Sequence, residues 1–132
     1  MPTATITKTT AVIDPEHAAT LWKLNGATPN RHVYFNKVTR DDETRIECCL
    51  LGVLGLHYDI ICNEIYPGSE WLYFRLMAVE GFDFDYLLGL DEGFSESEAL
   101  YRPTKPASAA YMLGLRHGAE VRHLVLGDEE VD

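Results

Sequence analysis

Cys48–Ile65 reads CCLLGVLGLHYDIICNEI, and the folding of this run decides the architecture of the first eighty residues. Thr44–Val53 (TRIECCLLGV) is rich in β-formers, and His57–Tyr66 (HYDIICNEIY) repeats the character. Both are read as strands, with Gly52 and Gly55 marking a bend or bulge between them. The competing reading is a single buried helix over Cys48–Ile65, because a continuous apolar run shows neither the period of a strand nor that of a helix.

Working outward, His32–Val38 (HVYFNKV) is β-like, and the polar TRDDE that separates it from Thr44 supplies turn chemistry, so the two runs form a hairpin. Trp71–Val79 (WLYFRLMAV) is a further β-like run after the Pro67-Gly68-Ser69 break, and Thr3–Ile13 (TATITKTTAVI) is another at the start. Between them Asp14-Pro15-Glu16 opens a helix over residues 15–25. Asp14 is placed to accept the free first-turn amides, Pro15 suits the first helical position, and Gly26 suits a left-handed stop. After Gly81 the pattern becomes helical. Asp83 caps a helix over Phe84–Phe94, Pro103 and Pro106 interrupt, and a last helix runs from Ala107 to Leu126 with Gly127 as its stop. The expectation is one α+β domain over residues 1–132. It has an antiparallel sheet of about four to five strands from residues 3–79 under C-terminal helices, and a frayed acidic tail at 128–132.

The helical part contains an internal echo. Tyr86–Phe94 reads YLLGLDEGF and Tyr111–Ala119 reads YMLGLRHGA. In each, a tyrosine and two glycines (Tyr86, Gly89, Gly93; Tyr111, Gly114, Gly118) share one helical face. Each mid-helix glycine costs about 1 kcal/mol relative to alanine, so four of them call for a compensating close backbone contact. The expected contact is between the two helices. The same face is also a possible seam for a homo-oligomer.

Composition excludes several function classes. The chain has 132 residues with 11 Lys plus Arg against 21 Asp plus Glu, a formal net charge of −10. Cationic side chains never cluster, which argues against direct binding to nucleic acid or to anionic membranes. The longest apolar run, Cys48–Leu56, falls far short of the ~20 residues that span a bilayer. MPTATITKTT lacks the charged and apolar regions of a secretory leader. With three cysteines, Cys48, Cys49 and Cys62, the expectation is a cytoplasmic protein with reduced thiols. No phosphate-cradling or dinucleotide-binding glycine motif occurs. The spacing of cysteine and histidine matches no zinc pattern, and the acids around Asp83 do not continue into a calcium loop. No cofactor and no metal are expected.

The negative charge is uneven. Residues 1–75 carry 7 Lys/Arg against 9 Asp/Glu, and residues 76–132 carry 4 against 12. Asp83, Asp85, Asp91, Glu92, Glu96 and Glu98 are interleaved with Phe82 and Phe94. Acids ringing aromatic anchors suit a basic protein partner, steered by potential and held by the rings. By analogy of size and charge, this is the reading of an inhibitor or regulator of a nucleic-acid enzyme, of the kind mobile elements encode. The alternative is a small enzyme or ligand-binding protein with its site at the sheet–helix junction. It would use His57 and Cys62 as base and thiol, with Arg116 nearby. An anion site from Arg116, Arg122 and His123 would stand out on so acidic a surface.

Overall fold

The computed structural model describes residues 11–61, 68–96 and 108–127. Asp14 caps the first helix as its sequence requires: its carboxylate accepts the Glu16 amide at 3.2 Å, and Pro15 takes the first helical position. The helix expected over 15–25 is broken at Thr20 into α1 (Pro15–Ala19) and α2 (Leu21–Leu24). The Thr20 hydroxyl donates to the His17 carbonyl at 2.7 Å, the local bond by which Ser and Thr compete with helix continuation. Gly26, at φ 66°, turns the chain into β1 (Ala27–Pro29).

β2 (Asn36–Arg40) and β3 (Glu43–Cys48) form the antiparallel hairpin, with Arg40 opposite Glu43. The two turn residues, Asp41 and Asp42, both take positive φ (53° and 68°), the geometry of a two-residue turn that matches strand twist. β1 adds in parallel to the other edge of β3, with Ala27 opposite Ile46. The sheet is therefore three-stranded and mixed, in the order β1-β3-β2, rather than four or five antiparallel strands.

The expected strand Trp71–Val79 is helical throughout, and the expected strand Thr44–Val53 stays β only to Cys48 before the chain turns helical inside the Cys48–Ile65 run, where the competing reading placed a helix. Leu50–His57 is α3, with Leu50, Leu51 and Val53 wholly buried and Leu54 nearly so. A helix buried all round has no polar face, so its period leaves no trace in the sequence. Ser69–Glu80 is α4, which buries Leu72, Tyr73 and Leu76 along one face. Its wet face carries Phe74, 72% exposed, and Val79, 45% exposed, and these apolar residues hide the helical alternation. His57 ends α3, and the Ile60 and Ile61 amides fold back onto the Gly55 carbonyl. Within the first expected strand, Ala11 makes an isolated parallel bridge to Phe82. Residues 3–10, Cys62–Tyr66 and the acidic tail at 128–132 lie outside the described residues.

α5 (Phe84–Ser95) is the central helix. Asp83 caps it by accepting the Asp85 amide at 2.8 Å, and Asp85–Asp91, Gly93 and Phe94 are all buried. α6 (Ala109–Leu126) is capped by Ser108 and stops at Gly127. The two helices run parallel and cross glycine face on glycine face. A Cβ on Gly89 would lie 2.3 Å from the Tyr111 carbonyl oxygen, and one on Gly114 would lie 2.3 Å from the Tyr86 carbonyl oxygen. Gly93 and Gly118 make the same exchange with the carbonyls of Leu115 and Leu90. The contacts map onto each other when the helices are swapped, so α5 and α6 form a pseudo-twofold pair. The tyrosines follow the rule too. Tyr86 Oη lies 2.6 Å from His117 Nδ1, and Tyr111 donates to Glu92 at the equivalent place in the other copy. With both faces consumed inside one chain, they offer no seam for a second copy.

Candidate functional site

The site is built where the loop after β1 meets the end of α5. That loop is strapped to β3 and α3 by backbone bonds: the Asn30 amide donates to the Cys48 carbonyl (3.0 Å), and the Cys49 amide donates to the Val33 carbonyl (2.8 Å). The Asn30 side chain adds one more, donating to Glu47 Oε1 at 3.0 Å. Gly52 permits the close approach, since a Cβ there would lie 1.8 Å from the Tyr34 carbonyl oxygen. Pressed against α3, Tyr34 sends its hydroxyl to Asp91 Oδ2 at 2.5 Å. Tyr73 on α4 donates to the same oxygen at 2.8 Å. Two phenols from separate elements thus converge on one carboxylate of the central helix, which is only 6% exposed.

Burial dominates the electrostatics here. Desolvation raises the Asp91 carboxyl above the usual carboxylate range, the two phenol hydrogen bonds oppose that shift, and the nearby Glu92 charge adds to it. Tyr34 and Tyr73 are pushed up, first by burial and then by the Asp91 charge, so they remain donors. Burial and the same charge raise the Cys49 thiol, and burial takes Cys48 up to about 12. Neither cysteine is poised as a nucleophile at neutral pH.

Asp91, Tyr34, Cys49 and Ser95 line a small inner pocket of about 130 Å³, open to solvent, that also touches Arg31 and His32. Arg31 and His32 continue into an outer cleft of about 360 Å³, completed by Asn30, Glu96, Arg122 and Leu126. At its mouth Glu96 is shared by two guanidinium groups. Arg122 Nη1 is 2.6 Å from Oε2, and Arg31 Nη1 is 3.5 Å from Oε1. Arg122 also donates from Nε to the Gly93 carbonyl at 3.3 Å, which places positive charge at the C-terminal end of α5. Glu96 itself sits in the left-handed region at φ 60°.

The residues expected to form an acidic, aromatic docking face occupy other places. Phe82 and Phe94 are core residues, 4% and 0% exposed, and Trp22 stacks on Phe94 with ring centroids 5.4 Å apart. Asp85 and Asp91 are buried, and Asp85 accepts the Ser108 hydroxyl at 3.2 Å. Asp83 serves as the α5 cap, Glu92 accepts from Tyr111, and Glu96 is neutralised by two arginines. Glu98 lies outside the described residues. Of the alternative trio, His57 packs its ring edge-on against His17 and Tyr58. Arg116 is exposed on α6, and Cys62 lies outside the described residues. Of the basic group on α6, Arg122 reaches the cleft, whereas Arg116 and His123 are exposed.

Sequence reasoning missed Arg31, Tyr34 and Tyr73. Arg31 is one polar residue in a polar loop, and the tyrosines read as ordinary strand residues. Only the fold brings them to Asp91 and Glu96. Among the described residues no group of histidines, cysteines and acids is arranged to hold a metal, and no helix is long and apolar enough to cross a membrane. Comparison with known proteins finds no matching family model, curated protein or solved structure.

Proposed function

We propose that this chain is a small-ligand-binding protein whose cleft at the sheet–helix junction takes a small carboxylate or phosphate anion. The observation that carries the reading is the convergence of Arg31 and Arg122, from a loop and from α6, on the single carboxylate of Glu96. Planar guanidinium forks match carboxylate and phosphate geometry, and Glu96 occupies the place an anionic ligand would take. The Glu96 side chain is 46% exposed, and ion pairs this wet add only ~0–1 kcal/mol, so displacing it costs little. A cleft of about 360 Å³ falls within the ~300–1,000 Å³ usual for ligand sites.

The net charge of −10 opposes an approaching anion at long range. Affinity would therefore rest on short contacts, and moderate salt would not abolish it. Docking onto a basic protein is the weaker reading, because those of its expected residues that are described are buried, capping or paired.

The test is isothermal titration with inorganic phosphate and with succinate. Glu96→Gln, which frees both guanidiniums, should bind several-fold tighter than the natural chain, and Arg122→Ala should lose binding. Failure of both anions to bind either the natural chain or Glu96→Gln would overturn the proposal.

A further inference from the structure

Asp91 uses one carboxylate oxygen for both of its side-chain hydrogen bonds. Tyr34 and Tyr73 donate to Oδ2, and Oδ1 accepts nothing from the described residues. The residue is more than nine-tenths buried and is one of those lining the inner pocket. Buried polar atoms are nearly always satisfied, and a lone carboxylate oxygen in a low-dielectric site is costly. The cation that shares this cavity, Arg31, is committed to Glu96 at the outer mouth. The described surroundings therefore supply two neutral donors to Oδ2 and no cation to Asp91.

We infer that the ligand of this cleft carries a protonated primary amine, which donates to Asp91 Oδ1 in the inner cavity while its anionic end meets Arg31 and Arg122. The ligand class is a small zwitterion, an amino acid or an amino-alkyl phosphate. The inference rests on the anion reading above and adds the second pole. The dimensions agree. About 130 Å³ is room for an ammonium group and its first carbons. Arg31 and His32 line both spaces, so one extended molecule can occupy the two together. Ser95, whose hydroxyl donates to the Asp91 carbonyl at 2.8 Å, supplies a further oxygen on the cavity wall.

The experiment is a calorimetric titration of the intact chain at neutral pH with unbranched ω-amino acids, from glycine to aminohexanoate. Each is compared with the matching alkanoate, the hydroxy acid and the alkylamine. At the length that spans the cleft, the amino acid should bind at least about tenfold tighter than its alkanoate, the usual worth of a charge-assisted hydrogen bond. In Asp91→Asn, which keeps the shape and removes the charge, the two should bind alike. A circular-dichroism melt confirms that the variant is folded, and the comparison within the natural chain stands without it.

Equal binding of amino acids and alkanoates overturns the inference and leaves the anion reading intact. A hydroxy acid matching the amino acid also overturns it, since a neutral donor would then suffice. Binding of alkylamines with no contribution from the carboxylate keeps the amine site and overturns the anion reading. No binding by any of them overturns both.

Discussion

Gly114→Ala separates two effects that pull in opposite directions. By helix propensity alone, the change should stabilise α6 by about 1 kcal/mol. The added methyl, however, would lie 2.3 Å from the Tyr86 carbonyl oxygen and 2.9 Å from the Leu90 amide nitrogen, both of them backbone atoms that cannot rotate away. Ordinary contact begins at 3.4 Å, so α5 and α6 must part by about 1 Å. A gap of that size forfeits a quarter to a half of each dispersion contact along the crossing. Overpacking of this kind costs ~1–3 kcal/mol, and clashes with backbone belong at the upper end. The expected net loss is about 2 kcal/mol, or roughly 6–10 °C in Tm for a chain of this size. Gly89→Ala, its pseudo-twofold mate, should lose a similar amount. Because the same separation relieves both clashes, the double variant should fall short of the summed losses by at least ~0.5 kcal/mol. Urea denaturation followed by circular dichroism measures all four corners of the cycle. Single variants more stable than the natural chain, or losses that simply add, would refute the crossing as the source of these glycines.

Two further outcomes follow from the site. The Asp91 carboxyl is raised in the folded chain, so its ionisation opposes folding. That cost is absent below the ordinary carboxylate value of ~3.9 and grows as the pH rises through the folded value. Asp91→Asn should therefore gain on the natural chain in unfolding free energy between pH 4 and pH 7, and a gap that stays constant or closes counts against a carboxyl raised by burial. Gly52→Ala, whose methyl would meet the Tyr34 carbonyl oxygen at 1.8 Å, should release the loop from α3. It should lose at least ~2 kcal/mol of stability and weaken anion binding through Arg31, and unchanged phosphate affinity in a folded variant would show that the strap does not position the cleft.

The parts of this fold legible in the sequence are those specified by local chemistry. Asp14-Pro15, Asp83 and Gly127 announce helix ends through capping, and the Asp41-Asp42 pair announces a tight hairpin. The paired Y-x-L-G-L-x-x-G frames are legible because only backbone contact offsets the cost of four mid-helix glycines. Legibility fails where burial is set by tertiary surroundings. Residues 50–55 of α3 are sealed on every side and so lack a periodic face. α4 exposes Phe74 and Val79, so its apolar residues do not mark its buried side. The site was hidden for a related reason. Acidic residues are ordinarily solvent-facing, and nothing local distinguishes Asp91, which is buried, from Asp83, which is exposed at a cap. The difference comes from Tyr34 and Tyr73, placed by a loop and a helix far apart in sequence.

Stability does not account for a carboxylate at the centre of α5. Leu87, Leu88 and Leu90 beside it are wholly buried, and each contributes ~1.5–3 kcal/mol by leaving water. A charge in the same layer costs several kcal/mol before its partners offset any of it. Two neutral phenols on one oxygen return part of that, and the second oxygen accepts nothing from the described residues. Tyr34 and Tyr73 are held donor-side down by the fold whether or not anything binds, so the charge is fixed in place before a ligand arrives. A site of this kind is preorganised at the expense of the folded state, the usual relation between stability and function at a binding centre. The rest of the cleft follows the opposite logic, since Arg31, Arg122 and Glu96 are partly wet and neutralise one another. The inner pole is therefore the costly, selective one, and the outer pole the cheap, exchangeable one. Discrimination among ligands should reside at Asp91, and entry at the arginines.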